Sequence, residues 1–360
     1  MAKNSFLITF FYIILLIITI GSINPCQIVA QDSKDINILS LIADGVGNTY
    51  FTVKDQFEEW GWDVTTVGLK DNHTGCPNKE PIFIASDILI SEINNISQFD
   101  CVFIASGAQH HILRDNKSVL EFITTAYNEG LVISTLCVST VILADADIIN
   151  GTKVVGHPHY AYDIELAGGI FEVDAKIISD KRIVTGGRGG GPTGKCDLAA
   201  PTYELCVAIA KEILGYSYVI KTSLTPTSED LNTNFQISVE TVNLTDLPYN
   251  IAASGISQVT ANIHQNNNFT VVEEVELKLG NNKYLGNFTA MKIGEYNIVI
   301  EVINEDECIE IVRNAASFSI RSVVSTKSNL VISIDFMGFL GIMSFSIIYL
   351  KGKDKKRRYR

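Results

Sequence analysis

Proline and basic residues are scarce in this chain of 360 residues. Only 8 residues are Pro, and 28 are Lys or Arg against 40 Asp or Glu, which gives a formal net charge of −12. Few prolines together with 46% hydrophobic residues argue against a disordered chain. The negative charge argues against nucleic acid as a partner, because such a surface repels phosphate backbones.

Cysteine is present, but not in the spacing of a zinc ribbon or of a disulfide-dense module. The seven cysteines are Cys26, Cys76, Cys101, Cys137, Cys196, Cys206 and Cys308. We therefore expect no metal site and no cofactor. An oxidising compartment would permit one or two disulfides, and the sequence does not fix their pairing.

The two ends of the chain predict an export signal and a membrane anchor. In residues 1–30, Lys3 precedes an apolar run from Phe6 to Ile20, which is typical of a signal peptide; a retained anchor is the alternative. Residues 330–350 contain a single charge, Asp335, and are long enough for one transmembrane helix. Residues 351–360 carry seven Lys or Arg against one Asp. They predict a cytoplasmic tail touching membrane lipid, with the preceding domains outside the cytoplasm.

Between these ends the pattern changes once. Residues 35–217 alternate strand-like and helix-like segments, which predicts an α/β domain with a mostly parallel sheet covered by helices. Residues 222–322 show short alternating strands separated by turn signals such as "LGNNKY". This second region predicts an all-β sandwich of the immunoglobulin-like type. The sequence does not identify what such a sandwich would bind.

Cys137 stands between an apolar strand, "LVISTLC", and a helix-like stretch, "VSTVILADADII". A sharp turn there would lift the thiol out of the sheet, and a helix N-terminus lowers a thiol's pKa. The amide of Val138 would then point at a developing oxyanion, with Gly107 on a neighbouring loop as a second donor. The alternative is that Cys137 is ordinary core packing.

The order of these segments resembles the DJ-1/PfpI family of the class I glutamine-amidotransferase-like superfamily. The resemblance runs from Ile36 to Leu214 and rests on four stretches: "LSLIADGVGNTYF", "FDCVFIASGA", "LVISTLCVSTVILADADIINGTKVVGHP" and "RIVTGGRGGGP". It implies a flavodoxin-like doubly wound sheet with a nucleophile elbow, the sharp strand-to-helix turn that presents a reactive side chain. Homodimers, which occur in the family, are an open expectation.

Carried over residue by residue, the resemblance implies Cys137 as nucleophile, Gly107 and Val138 as oxyanion-hole amides, and His157 near the cysteine. The chain departs from the family at two places. Val138 replaces the His that follows the Cys in the protease-like members, and Gly47 and Tyr50 replace two acids of the first loop.

The loss of those acids removes the group that normally activates the thiol. Asp44 remains in the first loop as a turn residue, and Tyr50 could donate a hydrogen bond. The substitutes for the missing base are His110, His111, His157 and His159. A zinc ion held by these histidines and Cys137 is conceivable, although the spacing fits no standard site.

The stretch "GGGPTGKC", residues 189–196, nearly fits a phosphate-binding loop. Cys196 stands where such a loop needs Ser or Thr for magnesium. A flexible glycine lid beside the cysteine is the preferred interpretation.

Two functions from different classes fit these observations. The first is a membrane-anchored, cysteine-dependent hydrolase or glyoxalase- or deglycase-like enzyme acting on small carbonyl or amide substrates. The second is a catalytically inactive family member that binds or displays another molecule at the cell surface, be it a small molecule or a surface protein. A thiol redox sensor is a third hypothesis.

Overall fold

The computed structural model describes residues 35–75, 82–188, 200–226, 230–242, 244, 246–265 and 271–321. The predicted signal peptide (1–30), glycine lid (189–196), transmembrane helix (330–350) and basic tail (351–360) lie outside these residues. Within the described ranges, no helix has the length and apolar character needed to span a membrane. The chain divides after Ile36, and all the helices and strands described below belong to the unit that begins at Asn37.

The first half of this unit alternates strands and helices, as its sequence pattern predicts. The described helices are α1 (Thr49–Glu59), α2 (Gln109–Arg114), α3 (Lys117–Asn128), α4 (Val141–Asp145), α5 (Ala161–Leu166) and α6 (Thr202–Leu214). The strands are β1 (Asn37–Ile42), β2 (Asp63–Gly68), β3 (Asn72–Thr74), β4 (Phe83–Ala85), β5 (Ile88–Leu89), β6 (Cys101–Ile104), β7 (Val132–Leu136), β8 (Lys153–Val154), β9 (Ile170–Phe171), β10 (Ile177–Asp180) and β11 (Ile183–Gly186).

The central sheet has the strand order β5-β2-β1-β6-β7-β11-β10. All pairs from β5 to β11 are parallel, and only the β10–β11 hairpin is antiparallel. The order β2-β1-β6-β7-β11 is that of a flavodoxin-like doubly wound fold. The strands β6 and β7 are buried at every position, because helices cover a parallel sheet on both faces.

Alternating side chains of β1 serve the two faces of the sheet. Leu39 and Leu41 share a core with Val119 and Ile123 of α3. On the other side, α1 packs on α6, where the rings of Trp60 and Tyr203 lie 6.2 Å apart. The α/β domain therefore has the three-layer arrangement that brings its functional loops to the carboxyl edge of the sheet.

The second half is mostly strands, again as predicted. These are β12 (Val219–Thr225), β13 (Asn234–Thr241), β14 (Asp246–Leu247), β15 (Ile251–Ala252), β16 (Ile256–Gln265), β17 (Val271–Gly280), β18 (Lys283–Thr289), β19 (Gly294–Asn304) and β20 (Cys308–Ile320). Strand β12 was not predicted from the sequence.

This strand-rich region folds over on itself into two layers. One layer is β12-β13-β18 and the other is β17-β16-β19-β20, joined only where the β17–β18 hairpin turns at Lys278–Gly280. Phe235 of β13 lies 4.7 Å from Phe318 of β20 between ring centroids, although five strand positions separate them in the sheet order. The two layers therefore enclose an aromatic core. Its assignment to the immunoglobulin-like type stays a prediction.

The two regions share one hydrogen-bonded sheet of 14 strands. The junction is a parallel pairing of β10 with β20, in which Ile178 faces Ile309. Fully buried Asp180 accepts hydrogen bonds from Arg313 across the same junction. Strand β20 thus covers an edge of the α/β sheet that would otherwise expose unpaired backbone groups.

Candidate functional site

Cys137 follows β7 directly and adopts a left-handed backbone conformation, with φ +58°. A 3-10 turn over Cys137–Thr140 comes next, and α4 then extends for only five residues. Non-glycine residues seldom occupy this region, and holding one there costs on the order of 1–3 kcal/mol. Such strain persists where the surroundings enforce it, as at a nucleophile elbow.

Two hydrogen-bond donors face the Cys137 sulfur, which is partly buried. One is the amide of Val138, as the elbow geometry predicts, and the other is the hydroxyl of Ser106. The register explains the second donor: Ile104 of β6 lies opposite Thr135 of β7, so Ser106 falls beside Cys137 at the same edge. Sequence reasoning missed Ser106, although extending the pairing of Ile104 with Thr135 by two residues in each strand gives Ser106 and Cys137.

Burial is the largest influence on the thiol and raises the pKa of Cys137. The hydrogen bonds from Ser106 and Val138 and the charge of Arg188 lower that pKa, but by less. The predicted lowering by a helix N-terminus is therefore not the dominant effect. A five-residue helix behind a 3-10 turn has few aligned peptide dipoles to offset desolvation.

Three glycines bring the first loop and the β6 loop into backbone contact. Gly47 N donates to Ser106 O at 2.7 Å. A Cβ atom at Gly107, whose φ is +130°, would lie 2.4 Å from both Gly45 O and Gly47 N. Position 107 thus requires glycine for two reasons: its φ is positive, and the backbone of the first loop approaches it too closely for a Cβ atom. Among the described residues no acceptor takes the Gly107 N–H, which leaves it compatible with the oxyanion role.

The two polar residues proposed from the first loop have other partners. The hydroxyl of buried Tyr50 is hydrogen-bonded to Thr66 Oγ1 at 2.7 Å. Asp44 accepts from Lys70 Nζ at 2.6 Å and from Thr74 N at 2.9 Å, and these bonds lower its pKa. Asp44 is a turn residue, as predicted, and neither side chain replaces the missing acid.

His110 is buried and has both ring nitrogens in hydrogen bonds. Gly107 O can only accept, so the contact of 2.8 Å from His110 Nδ1 places a hydrogen on that nitrogen. Nε2 then accepts from the Tyr160 hydroxyl at 2.6 Å. Burial lowers the pKa of His110. His111 is exposed, and its ring centroid lies 3.9 Å from that of His110. His110 therefore supports the Gly107 loop and has no free lone pair.

His157 lies beside Cys137, because its backbone N–H donates to Cys137 O at 3.0 Å. Its Nδ1 accepts from the backbone N–H of exposed His159 at 3.1 Å. A backbone N–H can only donate, so the neutral ring carries its hydrogen on Nε2. Burial, Arg188 and His159 lower the pKa of His157. The structure brings His157 to the site as a neutral donor.

Arg188 acts on the site through its charge, and sequence reasoning missed this residue as well. Gly186 of β11 pairs with Leu136 of β7 in parallel. The residues that follow these two strands therefore leave the sheet at the same carboxyl edge. The positive charge of Arg188 lowers the pKa of both Cys137 and His157. The sequence signal that could have identified Arg188 is its position just after β11, the strand that neighbours β7.

A separate small cleft is lined by α6, β10, β20 and the neighbouring loops. Lys211 and Glu310 form an ion pair there, and Ser217 also donates to Glu310. Burial raises the pKa of Glu212, which accepts from Ser179. These polar groups have partners within the chain, so the cleft is explained as part of the junction.

Residues 37–196 match the model of the DJ-1/PfpI family, and they carry a domain of that family. Escherichia coli protein/nucleic acid deglycase 2 is 27% identical over 150 residues, which cover 41% of this chain and 85% of that protein. An uncharacterized protein of Methanocaldococcus jannaschii is 25% identical over 159 residues, 43% of this chain and 76% of that protein.

Similar solved structures include Drosophila melanogaster DJ-1beta, with a TM-score of 0.43 at 18% identity, covering 50% of this chain and 91% of that chain. A two-domain protein from Anabaena variabilis, with DJ-1/ThiJ/PfpI-like and ferritin-like domains, gives 0.43 at 21% identity. The match covers 51% of this chain and 49% of the Anabaena chain.

Proposed function

We propose that the DJ-1/PfpI domain is a cysteine-dependent enzyme, hydrolytic or glyoxalase- or deglycase-like, that acts on small carbonyl or amide substrates with Cys137 as nucleophile. The observation that carries this proposal is the strained elbow at Cys137, φ +58°, with Val138 N–H and Ser106 Oγ–H directed at the sulfur. A packing cysteine needs neither strain nor two donors. The sequence similarity to a protein named as a deglycase favours carbonyl chemistry.

The site suits addition of a neutral thiol. Burial raises the pKa of Cys137, and neither His110 nor His157 offers a free lone pair in its neutral form. We therefore assign Ser106 as a proton relay. The sulfur attacks the carbonyl carbon as the Ser106 hydroxyl rotates its hydrogen from the sulfur towards the carbonyl oxygen. The thiol proton then passes to Ser106 Oγ, and the Ser106 proton passes to the carbonyl oxygen. The Val138 amide stabilises the negative charge that develops on that oxygen.

The second candidate is a catalytically inactive binding or display module. The hydrogen bonds that occupy His110 and His157, together with the raised pKa of Cys137, favour it. Its discriminating property is turnover: a binding module would hold a ligand near Cys137 without consuming it.

The remaining proposals concern location and assembly. The apolar segment 330–350 and the basic segment 351–360 support a single-pass membrane protein with its folded part outside the cytoplasm. Homodimer formation is a further proposal, and it rests on the family resemblance alone.

The experiment that tests the enzyme proposal measures consumption of glyoxal and methylglyoxal by the purified full-length chain. We expect consumption above the buffer rate, lost in Cys137→Ser and retained in Cys308→Ser, which removes another partly buried thiol. Ser106→Ala should lower kcat at least about 10²-fold if the hydroxyl moves the proton. Equal rates for the wild type and Cys137→Ser would refute the proposal and favour the binding module.

A further inference from the structure

Ser139 is the second residue after Cys137 and lies in the 3-10 turn of the elbow. Its side chain is fully buried, and its hydroxyl donates to Ala105 O at 2.7 Å. A serine in a helical turn commonly returns its hydroxyl to a carbonyl of the preceding turn. Ser139 instead bonds a residue 34 positions away, just past the end of β6. The bond therefore joins the segment of the nucleophile to the segment of Ser106.

Ala105 O and Ser106 N belong to one peptide unit, and both of its polar ends are held. The oxygen accepts a second hydrogen bond from Nε2 of fully buried Gln109, also at 2.7 Å. The N–H donates to Thr49 Oγ1 at 3.2 Å. Because a peptide unit is planar, holding its two ends fixes its plane. The next peptide unit is held as well, since Ser106 O accepts from Gly47 N at 2.7 Å. Together these two planes fix the direction of the Cα–Cβ bond of Ser106.

The position of Ser106 Oγ matters because this hydroxyl has to reach the Cys137 sulfur and then the carbonyl oxygen of the substrate. The parallel pairing of Ile104 with Thr135, continued by two residues, places Ser106 beside Cys137. Proton transfer needs donor and acceptor within hydrogen-bond reach, and a misplacement of about 1 Å can cost about 10²-fold in rate. The peptide unit that carries Ser106 therefore has to keep one orientation.

We propose that Ser139 is a positioning residue for the reaction: its hydrogen bond to Ala105 O holds Ser106 where the hydroxyl can reach the Cys137 sulfur. This inference rests on the proposed function, which gives Ser106 the role of proton relay. The alternative is that Ser139 only satisfies its own hydroxyl in the core and stabilises the fold. The two roles differ in one respect, because only a positioning residue needs Ser106 in order to act.

The test is a double-mutant cycle on the full-length chain, with Ser139→Ala, Ser106→Ala and both substitutions together. The rate of iodoacetamide alkylation at Cys137 is measured by site-resolved mass spectrometry as a function of pH. We expect Ser139→Ala to shift the profile to higher pH and to lower the rate at about pH 7.5 about two- to fivefold, because the sulfur loses a well-placed donor. In chains that already carry Ser106→Ala, the same substitution should change the rate by less than about 1.5-fold.

Turnover of glyoxal gives the second readout. Ser139→Ala should lower kcat about three- to tenfold and leave KM within about twofold, because the relay moves the proton and does not bind the substrate. This loss is smaller than that in Ser106→Ala, since Gln109 and Thr49 still hold the peptide unit. Added to Ser106→Ala, the Ser139→Ala substitution should lower kcat no further.

Thr140→Val is the matched control, because Thr140 is the next residue of the same turn and is also fully buried. Its hydroxyl lies 3.1 Å from both Val155 O and Thr135 Oγ1. The substitution removes a buried hydroxyl from the elbow without touching Ala105 O. It should lower the thermal stability and change the alkylation rate at Cys137 by less than about 1.5-fold. An effect as large as that of Ser139→Ala would refute the specific role of Ser139.

Ser139→Ala should fold, because Ala105 O keeps its bond from Gln109 and no buried carbonyl is left unpaired. Circular dichroism checks each variant. Gln109→Met is the second variant, since it removes the other donor to Ala105 O and lies outside the elbow. It should slow Cys137 in the same Ser106-dependent way, and a loss that persists in Ser106→Ala would refute the positioning of the peptide unit.

The outcomes separate this inference from the proposed function. If Cys137→Ser consumes glyoxal as fast as the wild type, the nucleophile is wrong and both claims fail. If Cys137 is required but Ser106→Ala leaves kcat unchanged, the relay fails and the inference fails with it. If Ser106→Ala lowers kcat and Ser139→Ala has the same effect with and without it, or no effect, the proposed function stands and the positioning role is refuted.

Discussion

Replacing Arg313 by Met should lower the free energy of unfolding of the chain by about 2–4 kcal/mol. The carboxylate of Asp180, at the end of β10, is fully buried. It accepts from Arg313 Nε at 2.9 Å and Nη2 at 2.5 Å, and from Lys153 N at 2.7 Å. Because Arg313 is on β20, this ion pair joins the α/β domain to the strand-rich region.

The magnitude follows from what the substitution leaves behind. Removing one partner of a buried ion pair costs about 3–5 kcal/mol, mostly because the remaining charge is uncompensated. Two features lower this cost: Lys153 N still donates to Asp180, and the Arg313 side chain is 20% exposed, so water can reach the gap. The substitution also removes the bond of 3.0 Å from Arg313 Nη2 to Gly151 O.

The assay is urea unfolding followed by far-UV circular dichroism and tryptophan fluorescence. Both tryptophans, Trp60 and Trp62, lie in the α/β domain, so disagreement between the two signals would reveal separate unfolding of the regions. Lys117→Ala is the control, because its ion pair with Glu121 is exposed and worth at most about 0.5 kcal/mol. An Arg313→Met effect no larger than this control would refute the reasoning about the junction.

Three other predictions concern the site. Gly107→Ala should lower the free energy of unfolding by more than about 3 kcal/mol, because its Cβ would lie 2.4 Å from backbone atoms. Gly130→Ala, where the Cβ would meet open space, should lower it by only about 1 kcal/mol, and thermal unfolding compares the two variants. Tyr50→Phe should lower the free energy of unfolding by about 1 kcal/mol, because it removes the hydrogen bond to Thr66. The rate of alkylation at Cys137 should not change, and a slower rate would show that Tyr50 acts on the thiol. Because burial raises the pKa of Cys137, the rate of its alkylation should still increase with pH above about 8.5, the pKa of a thiol in a peptide. A rate that levels off below that pH would contradict the raised pKa.

Local patterns were sufficient to predict most elements of the α/β domain. The continuous apolar runs of β1, β6 and β7 indicate strands buried on both faces, and Gly215 ends α6 in the left-handed conformation that favours glycine. The turn at Lys181–Arg182 joins the neighbouring strands β10 and β11. Each of these features depends on residues close together in the sequence.

The features that the sequence did not reveal depend on distant partners. Strand β10 pairs with β20, about 130 residues later, and no local signal names that partner. The hydrogen bonds of His110 involve Gly107 and Tyr160, and they decide that its ring is not a free base. The pKa of Cys137 is set by burial, which only the assembled fold defines.

The most direct test of the central claim is the site-resolved rate of iodoacetamide alkylation at Cys137 relative to Cys308 at pH 8. Cys308 is also partly buried, and burial with nearby acids raises its pKa to about 12. Cys137 has two donors on its sulfur and a positive charge nearby. We expect Cys137 to react at least about tenfold faster. Equal rates, or a faster Cys308, would contradict the assignment of Cys137 as the nucleophile.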